Sequence, residues 1–569
     1  MSVEQKLKVV LCWHMHQPDY RGPEHSEFEL PWVYLHAIKD YSDMAAHLEA
    51  NPDARAVVNF APVLLEQLED YAGQIADWLE RGKLIRDPLL AALAGPGLPV
   101  DQASRRKLIH SCRRASEKHL INRFRAFRRL VDIAGWVEQH TGSSIYLNDQ
   151  YLIDLLVWYH LAWMGEYVRS NDIFIQSLEK KRSSFSNADR RRLVAAIGDL
   201  VSGTIGRYRK LAEDGRIELS VTPYAHPIMP LMLEFHSARE AMPEVMLPEA
   251  PGYPGGEPRV RWHIRKGVEV FERHFGFRPR GCWPSEGAVS SETLRMLEEE
   301  GFRWAASGQQ VLHNSLIAFG SAKLLPEDWL HQAYRLGEGR LNCFFRDDGL
   351  SDLIGFTYAD WHADDAVGNL LQHLENIADM PTGAGERVVS IIMDGENAWE
   401  YYPRNGCFFL TTLYQRLAQH PKLELTTFSA ALDSQTTSAA ALPELVAGSW
   451  VYGTMSTWLG DPDKNRAWDM LVDAKRAYDK VIAAEDMDPD QRQQLELQLA
   501  RCEGSDWFWW FGDYNPGETV SDFEQLFRRQ LTQLYQLLGK KPPKYLSEVF
   551  AHGSGDPEMG GVMRQGSGV

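Results

Sequence analysis

Short apolar runs that stop on polar or turn residues and then give way to helical patterns constrain this chain's fold more than any other feature. Residues 8–13 form the first run; residues 54–60 pass through Pro62 into a helical 63–71, and 216–221 end at Thr222-Pro223. Residues 279–283 precede a Ser290/Ser291 cap and a helix to Glu300, and 387–393 end at Asp394. Strands alternating with helices build a parallel sheet. The polar residues fall at the C-terminal ends of these strands, the edge where catalytic groups collect in a barrel or open α/β sheet, because loops there vary while the sheet holds them rigidly. At 569 residues the chain exceeds one ordinary core and implies a large domain with at least one smaller companion.

Helical stretches at 103–138 and 146–212 interrupt the rhythm and read as insertions around 103–212 in a barrel domain spanning 1–430. The basic run 105–129 reads as a solvated helix face, since the formal charge of −18 opposes binding to nucleic acid or an anionic membrane and suits a neutral partner. The apolar stretch 146–164 contains Asp149, Asp154 and His160 at helical spacing, which marks a buried helix and not a membrane span. Residues 243–258, rich in Pro and Gly, read as a long loop able to border a site. A linker at 431–447 leads to a helical domain at 448–545, in which Phe523, Leu526, Phe527, Leu531, Leu534, Tyr535 and Leu538 make one buried stripe. Residues 546–569 read as a mostly flexible tail. The six cysteines show neither close pairs nor metal-ligand spacing, and residues 1–8 hold three charges before a short apolar run, so a cytoplasmic protein without a secretory leader is expected.

Five segments carry candidate chemistry. His14 and His16, two apart after the first strand, share a side; they suit metal binding, sugar hydroxyls or plain structure equally. His226 follows another strand in a Pro-rigid loop, where a structural role is the simplest reading. Glu286, in Cys-Trp-Pro-Ser-Glu-Gly, has the bland reading of a carboxylate at a helix start. Asp394, Glu396 and Glu400 could bind a cation or cap a helix. Asp506 opens a run of five aromatics, Trp507 to Phe511, that one helix face cannot bury. The 18 tryptophans are many for this length, and a carboxyl group beside a tryptophan is what cleavage of a sugar bond requires: acid or covalent chemistry against a flat apolar face.

Taken in order, 14–18, 222–230, 281–290, 391–399 and 505–513 resemble the five short regions of glycoside hydrolase family 57, whose members act on α-glucans. Residues 148–163, 345–356 and 448–468 look like its branch of α-amylases and amylopullulanases. The resemblance implies an incomplete (β/α)7 barrel followed by an α-helical domain that contributes to the active site. It also implies a retaining mechanism with Glu286 as nucleophile and Asp394 as general acid/base, their carboxyl groups about 5–5.5 Å apart. His14, His16 and His226 then become hydrogen-bond partners of glucosyl hydroxyls. Trp283 and Trp399 shape the subsite, Asp506 and Trp507 reach it from the helical domain, and Glu396 supports it. No metal or other cofactor is implied.

The expectation is therefore a retaining glycoside hydrolase that cleaves α-1,4 bonds, with α-1,6 bonds as a further substrate class. A 4-α-glucanotransferase or branching-type transglycosylase would use every residue named. A metal-dependent hydrolase built on His14, His16, His226 and Asp394, and a non-catalytic glycan-binding protein, are the rivals from other classes. Chain-length preference, endo or exo action and oligomeric state are not legible in the residues.

Overall fold

A computed structural model describes residues 6–22, 27–95, 97–140, 142–319, 329–380, 387–434, 439–484 and 487–555. Ten strands occur among them: β1 (Leu7–Met15), β2 (Ala56–Phe60), β3 (Ile217–Val221), β4 (Gly281–Cys282), β5 (Trp304–Gly308), β6 (Ala333–Leu336), β7 (Asn342–Arg346), β8 (Val388–Asp394), β9 (Leu423–Thr426) and β10 (Ala439–Leu442). Seven of these, β1-β2-β3-β4-β5-β7-β8, pair in parallel, and β8 returns to β1 to close a barrel. The closure is thin between β7 and β8, where Arg346 opposite Ser390 is the single paired position. Strand β6 runs antiparallel along β7, β10 lies beside β6, and β9 extends the lower half of β1.

Alternation along each strand explains which residues face inward. In β1, Val10 and Cys12 join a small inner core, whereas Leu11, Trp13 and Met15 belong to the larger core under the surrounding helices. In β8, Val388 and Ile392 face in while Val389, Ile391 and Met393 face out. The period of two therefore carries His14 and Asp394 inward at the top of the barrel, and the β1–β8 register sets them side by side. Trp304 and Phe344 fill the floor, with Phe428 stacked within 4.5 Å of each ring centroid. Gly281 is required there: a Cβ on it would lie 1.8 Å from the Trp304 ring.

Between β2 and β3 the expected helical insertion is present, from Gln102–Ser111 through the buried Asp149–Trp163 to the 27-residue Asn187–Glu213, which opens on a Ser186/Asp189 capping box. No helix among the described residues is long and apolar enough to cross a membrane. Helices Pro462–Ala484, Pro489–Cys502, Asp506–Trp510 and Gly517–Leu537 form the C-terminal part, and the stripe expected from Phe523 to Leu538 is buried.

Two boundaries differ from expectation. Residues 439–442 form β10 inside the expected linker: four residues, three of them alanine, whose strand state comes from pairing with β6 and not from propensity. Residues 435–438 of that linker lie outside the described residues. The expected tail is packed through residue 555, because Phe550 meets the Phe511 ring edge-on and the Phe527 ring at a tilt, Ala551 is buried, and Gly555 N–H donates to Asn515 O at 3.0 Å. Residues 556–569 lie outside the described residues.

Candidate active site

A cleft of about 270 Å³ opens over the C-terminal edge of the barrel. His14, His16, Glu286, Asp394, Glu396 and Asp506 all line it, so three strand ends and the helical region bring their expected groups to one place. His226 stands immediately behind, fully buried, its ring stacked on His16 at 3.8 Å.

The histidines form a directional chain. Asn59 Oδ1 accepts from His14 Nδ1 (2.7 Å), which leaves His14 Nε2 bare toward His226 Nε2 at 3.2 Å. His226 must therefore donate from Nε2, and its Nδ1 accepts from Ser505 Oγ at 2.8 Å. Neutral rings suit this arrangement: burial, followed by the neighbouring imidazoles, lowers His14 to about 3 and holds His226 well below the usual histidine range. His16 Nε2 donates to Asp506 Oδ1 at 2.8 Å. His16, His226 and Asp506 offer atoms within 4.8 Å of one another, close enough to hold a metal ion, but a cation there would displace the His14–His226 or His16–Asp506 bonds.

The two expected catalytic carboxyl groups have different settings. Glu286 sits in a short turn after β4 with φ of +58°, a left-handed conformation costly for a non-glycine residue. Trp450 pins it twice: its backbone N–H donates to Glu286 O at 3.2 Å and its indole N–H to Glu286 Oε2 at 3.0 Å. His226 Nδ1 lies 3.9 Å from Glu286 Oε1. Asp394 ends β8, half-buried on the cleft wall; burial raises its pKa, against the opposing pull of the Asn397 amide (2.9 Å to Oδ2), His16 and Arg346. Arg346 reaches the same wall from β7, donating to Ile392 O at 2.8 Å and pairing with Asp348 and Asp352 while its guanidinium lies 5.5 Å from the Trp450 ring centre.

Glu396 Oε1 accepts from His16 N–H (3.1 Å), Gln17 Nε2 (3.2 Å) and Tyr41 OH (3.1 Å), and its Oε2 has no hydrogen-bond partner among the described residues. Burial and then the neighbouring Asp394 carboxyl raise its pKa well above the usual range.

The expected tryptophans stand behind the wall and not on it. Trp283 is buried against Trp450 and His14. Trp399 packs on Trp13, Tyr402 and Phe409 and donates to Gly395 O at 2.9 Å, bracing the turn after Asp394. Trp507 donates to Arg501 O at 2.9 Å. The tryptophans lining the cleft are instead Trp32, Trp163, Trp450, Trp509 and Trp510, alongside Tyr20, Phe356 and Phe523. Arg114, from the basic run, also reaches the cleft, over the Trp32 ring and paired with Asp522 at 2.9 Å. The 243–258 loop docks on the helical region, where Asp469 accepts from the Glu249 and Ala250 amides, and no residue of it lines the cleft.

Arg346, Asn59, Asn397 and Ser505 are the site residues that reading the sequence did not single out for roles. A signal existed for Arg346, which follows an apolar run as Asp394 does, and for Asn59, penultimate in β2.

The sequence profile described as glycosyl hydrolase family 57 matches residues 10–443. No curated protein matches the chain. Among solved structures, the chain is similar to a GH57 branching enzyme from Thermococcus kodakaraensis in complex with glucose, with TM-score 0.56 and 14% identity over 96% of this chain and 94% of that one. It is similar to the α-amylase AmyC from Thermotoga maritima, with TM-score 0.55 and 14% identity over 95% of each chain. A 4-α-glucanotransferase from Thermococcus litoralis gives TM-score 0.50 and 13% identity over 95% of this chain and 61% of that one. At these identities the likeness to each structure is one of fold.

Proposed function

The chain belongs to glycosyl hydrolase family 57, and from that premise we propose that it cleaves α-1,4-linked glucans, and α-1,6 branches within them, through a covalent glycosyl-enzyme. The observation that carries this reading is that Glu286 and Asp394 face one cleft in unlike settings. Glu286 receives an N–H donor that favours the carboxylate needed to attack an anomeric carbon. Asp394 is dry enough to hold the proton that the leaving oxygen needs. Asp394 protonates the departing sugar as Glu286 forms the ester, and then takes a proton from the incoming nucleophile as the ester breaks. Configuration is retained through the two displacements.

Transfer to a sugar acceptor is the second reading, favoured by the aromatic wall that continues from Trp450 to Trp509, Trp510 and Trp32, since stacking surfaces beyond the carboxylates hold a sugar better than water. Incubation with maltooligosaccharides separates the two. Hydrolysis is expected to raise reducing ends in step with chain shortening; longer chains without that rise would replace it by transfer. Unchanged turnover in both Glu286→Gln and Asp394→Asn would sink either version.

A further inference from the structure

His226 also adopts a left-handed φ, +58°, and its cause lies beneath it, in a buried cluster outside the cleft. His263, on helix Gly256–Phe275, is fully buried. Its backbone carbonyl accepts from Tyr224 N–H at 2.9 Å and its ring Nδ1 from Ala225 N–H at 3.4 Å, so one residue holds two successive amides of the loop that carries His226. The other ring nitrogen, Nε2, donates to Glu503 Oε2 at 2.7 Å. An amide donor on one side and a carboxylate on the other fix the Nε2–H tautomer. Glu503 is fully buried too, and is held by Arg259 at 2.6 Å and by the Tyr253 hydroxyl.

From Glu503 the chain returns to the site within two residues. Gly504 lies against the His226 loop, where a Cβ would meet Ala225 O at 3.0 Å. Ser505 then clasps His226 from above, its N–H donating to His226 O at 2.9 Å and its hydroxyl to Nδ1 at 2.8 Å. The loop is thus gripped between His263 below and Ser505 above, and both grips originate at Glu503.

We propose that His263 is a positioning residue: through its hold on the Ala225 amide it sets His226 against Glu286 and in register with Ser505 and Asp506 of the helical region. The idea rests on Glu286 being the nucleophile, as proposed above. A burial that served stability alone would need neither the two loop amides on His263 nor the glycine that lets Ser505 approach.

His263→Gln keeps the donor to Glu503 and loses the acceptor for Ala225; His263→Asn keeps the Ala225 acceptor and loses the donor. Steady-state kinetics on maltooligosaccharides at 25 °C, normalised to folded protein by circular dichroism, are run beside the parent and Glu286→Gln. Misplacing a group by about 1 Å costs up to about a hundredfold, so kcat is expected to fall about tenfold or more in His263→Gln with KM little changed, and to recover most of that loss in His263→Asn. Folded His263→Gln with parental kcat, whatever its melting temperature, would overturn the proposal, as would failure of both variants to fold. If Glu286→Gln keeps parental turnover, the reading of the nucleophile fails; if it is inactive while His263→Gln is not, only the positioning claim falls.

Discussion

The strand ends after β4 and β8 each deliver one carboxyl group to the cleft, and they do so by opposite means. After β4 the backbone is bent into a left-handed turn, and a tryptophan from another part of the chain supplies N–H donors to hold Glu286 there. After β8 nothing is bent: the strand's own alternation points Asp394 inward, and enclosure does the rest. Strain held by hydrogen bonds suits a group that must be ionised and aimed: the backbone donor fixes the turn and the indole donor to Oε2 favours the charged form. Exclusion of water suits a group that must keep a proton. One barrel edge therefore gives two carboxyl groups unlike surroundings.

The comparison breaks first if the two groups prove interchangeable. Glu286→Gln is expected to lose more than about 10⁴-fold in kcat on every substrate, since no step proceeds without the nucleophile. Asp394→Asn is expected to lose about 10²–10⁴-fold in kcat/KM on maltooligosaccharides and to regain kcat/KM on an aryl maltooside whose phenol leaves unaided, while loss of the base keeps kcat low. Equal losses of kcat/KM by both variants on the aryl substrate would show that the roles are not divided in this way. The same Asp394→Asn protein, treated with an activated glucosyl fluoride, should carry the sugar as an ester on Glu286, visible by peptide mass.

Trp450 offers the next test, on the Glu286 side alone. Trp450→Phe retains the ring and the backbone N–H but removes the indole donor to Oε2. A hydrogen bond to a charged group contributes about 1.5–3 kcal/mol, so kcat/KM is expected to fall roughly ten- to a hundredfold. An unaltered rate would mean that the turn, and not the donor, prepares Glu286.

This residue also marks where the sequence ran out. The strand ends of β1 and β8 were legible because an apolar run stopping on a polar residue is a local signal, and with them came His14, Asp394 and the edge that carries the cleft. Strands β5 and β7 were not, since Trp-Ala-Ala-Ser-Gly and Asn-Cys-Phe-Phe-Arg lack the β-branched pattern and owe their state to neighbours on both sides. Glu286 was visible within its motif, whereas Trp450 lies 164 positions away and meets it through tertiary folding alone. The aromatic residues were misread for a related reason. Trp283, Trp399 and Trp507 adjoin polar site residues in the chain, yet adjacency does not say which face a ring takes, and all three pack inward.

On the Asp394 side, Asn397 is the adjustable contact. Its amide opposes the effect of burial, so Asn397→Ala should let Asp394 keep its proton to higher pH. The sign follows: activity needs the acid form, and the alkaline limb of kcat/KM is expected to move upward, with the rate at the optimum changed by less than about tenfold. A limb moving downward would show that Asn397 stabilises the protonated form instead.

The smallest effect concerns Glu396, and it tests whether dryness alone sets protonation on this side of the site. Glu396 holds three donors on Oε1, which a glutamine carbonyl oxygen would also accept, so Glu396→Gln is expected to keep kcat within about threefold of the parent. Stability should respond in a pH-dependent way. The folded carboxyl keeps its proton well above the ordinary value of 4.5, while in the unfolded chain it ionises near that value. As pH rises past 4.5 the unfolded parent gains free energy from ionisation that the folded parent does not, so the parent loses stability and the glutamine variant does not share that loss. Melting temperatures should therefore be nearly equal at pH 4 and diverge in favour of Glu396→Gln toward pH 7. A gap that closed or reversed with rising pH would mean that Glu396 is ionised in the fold, and that a buried negative charge sits two residues from the group assigned to carry the proton.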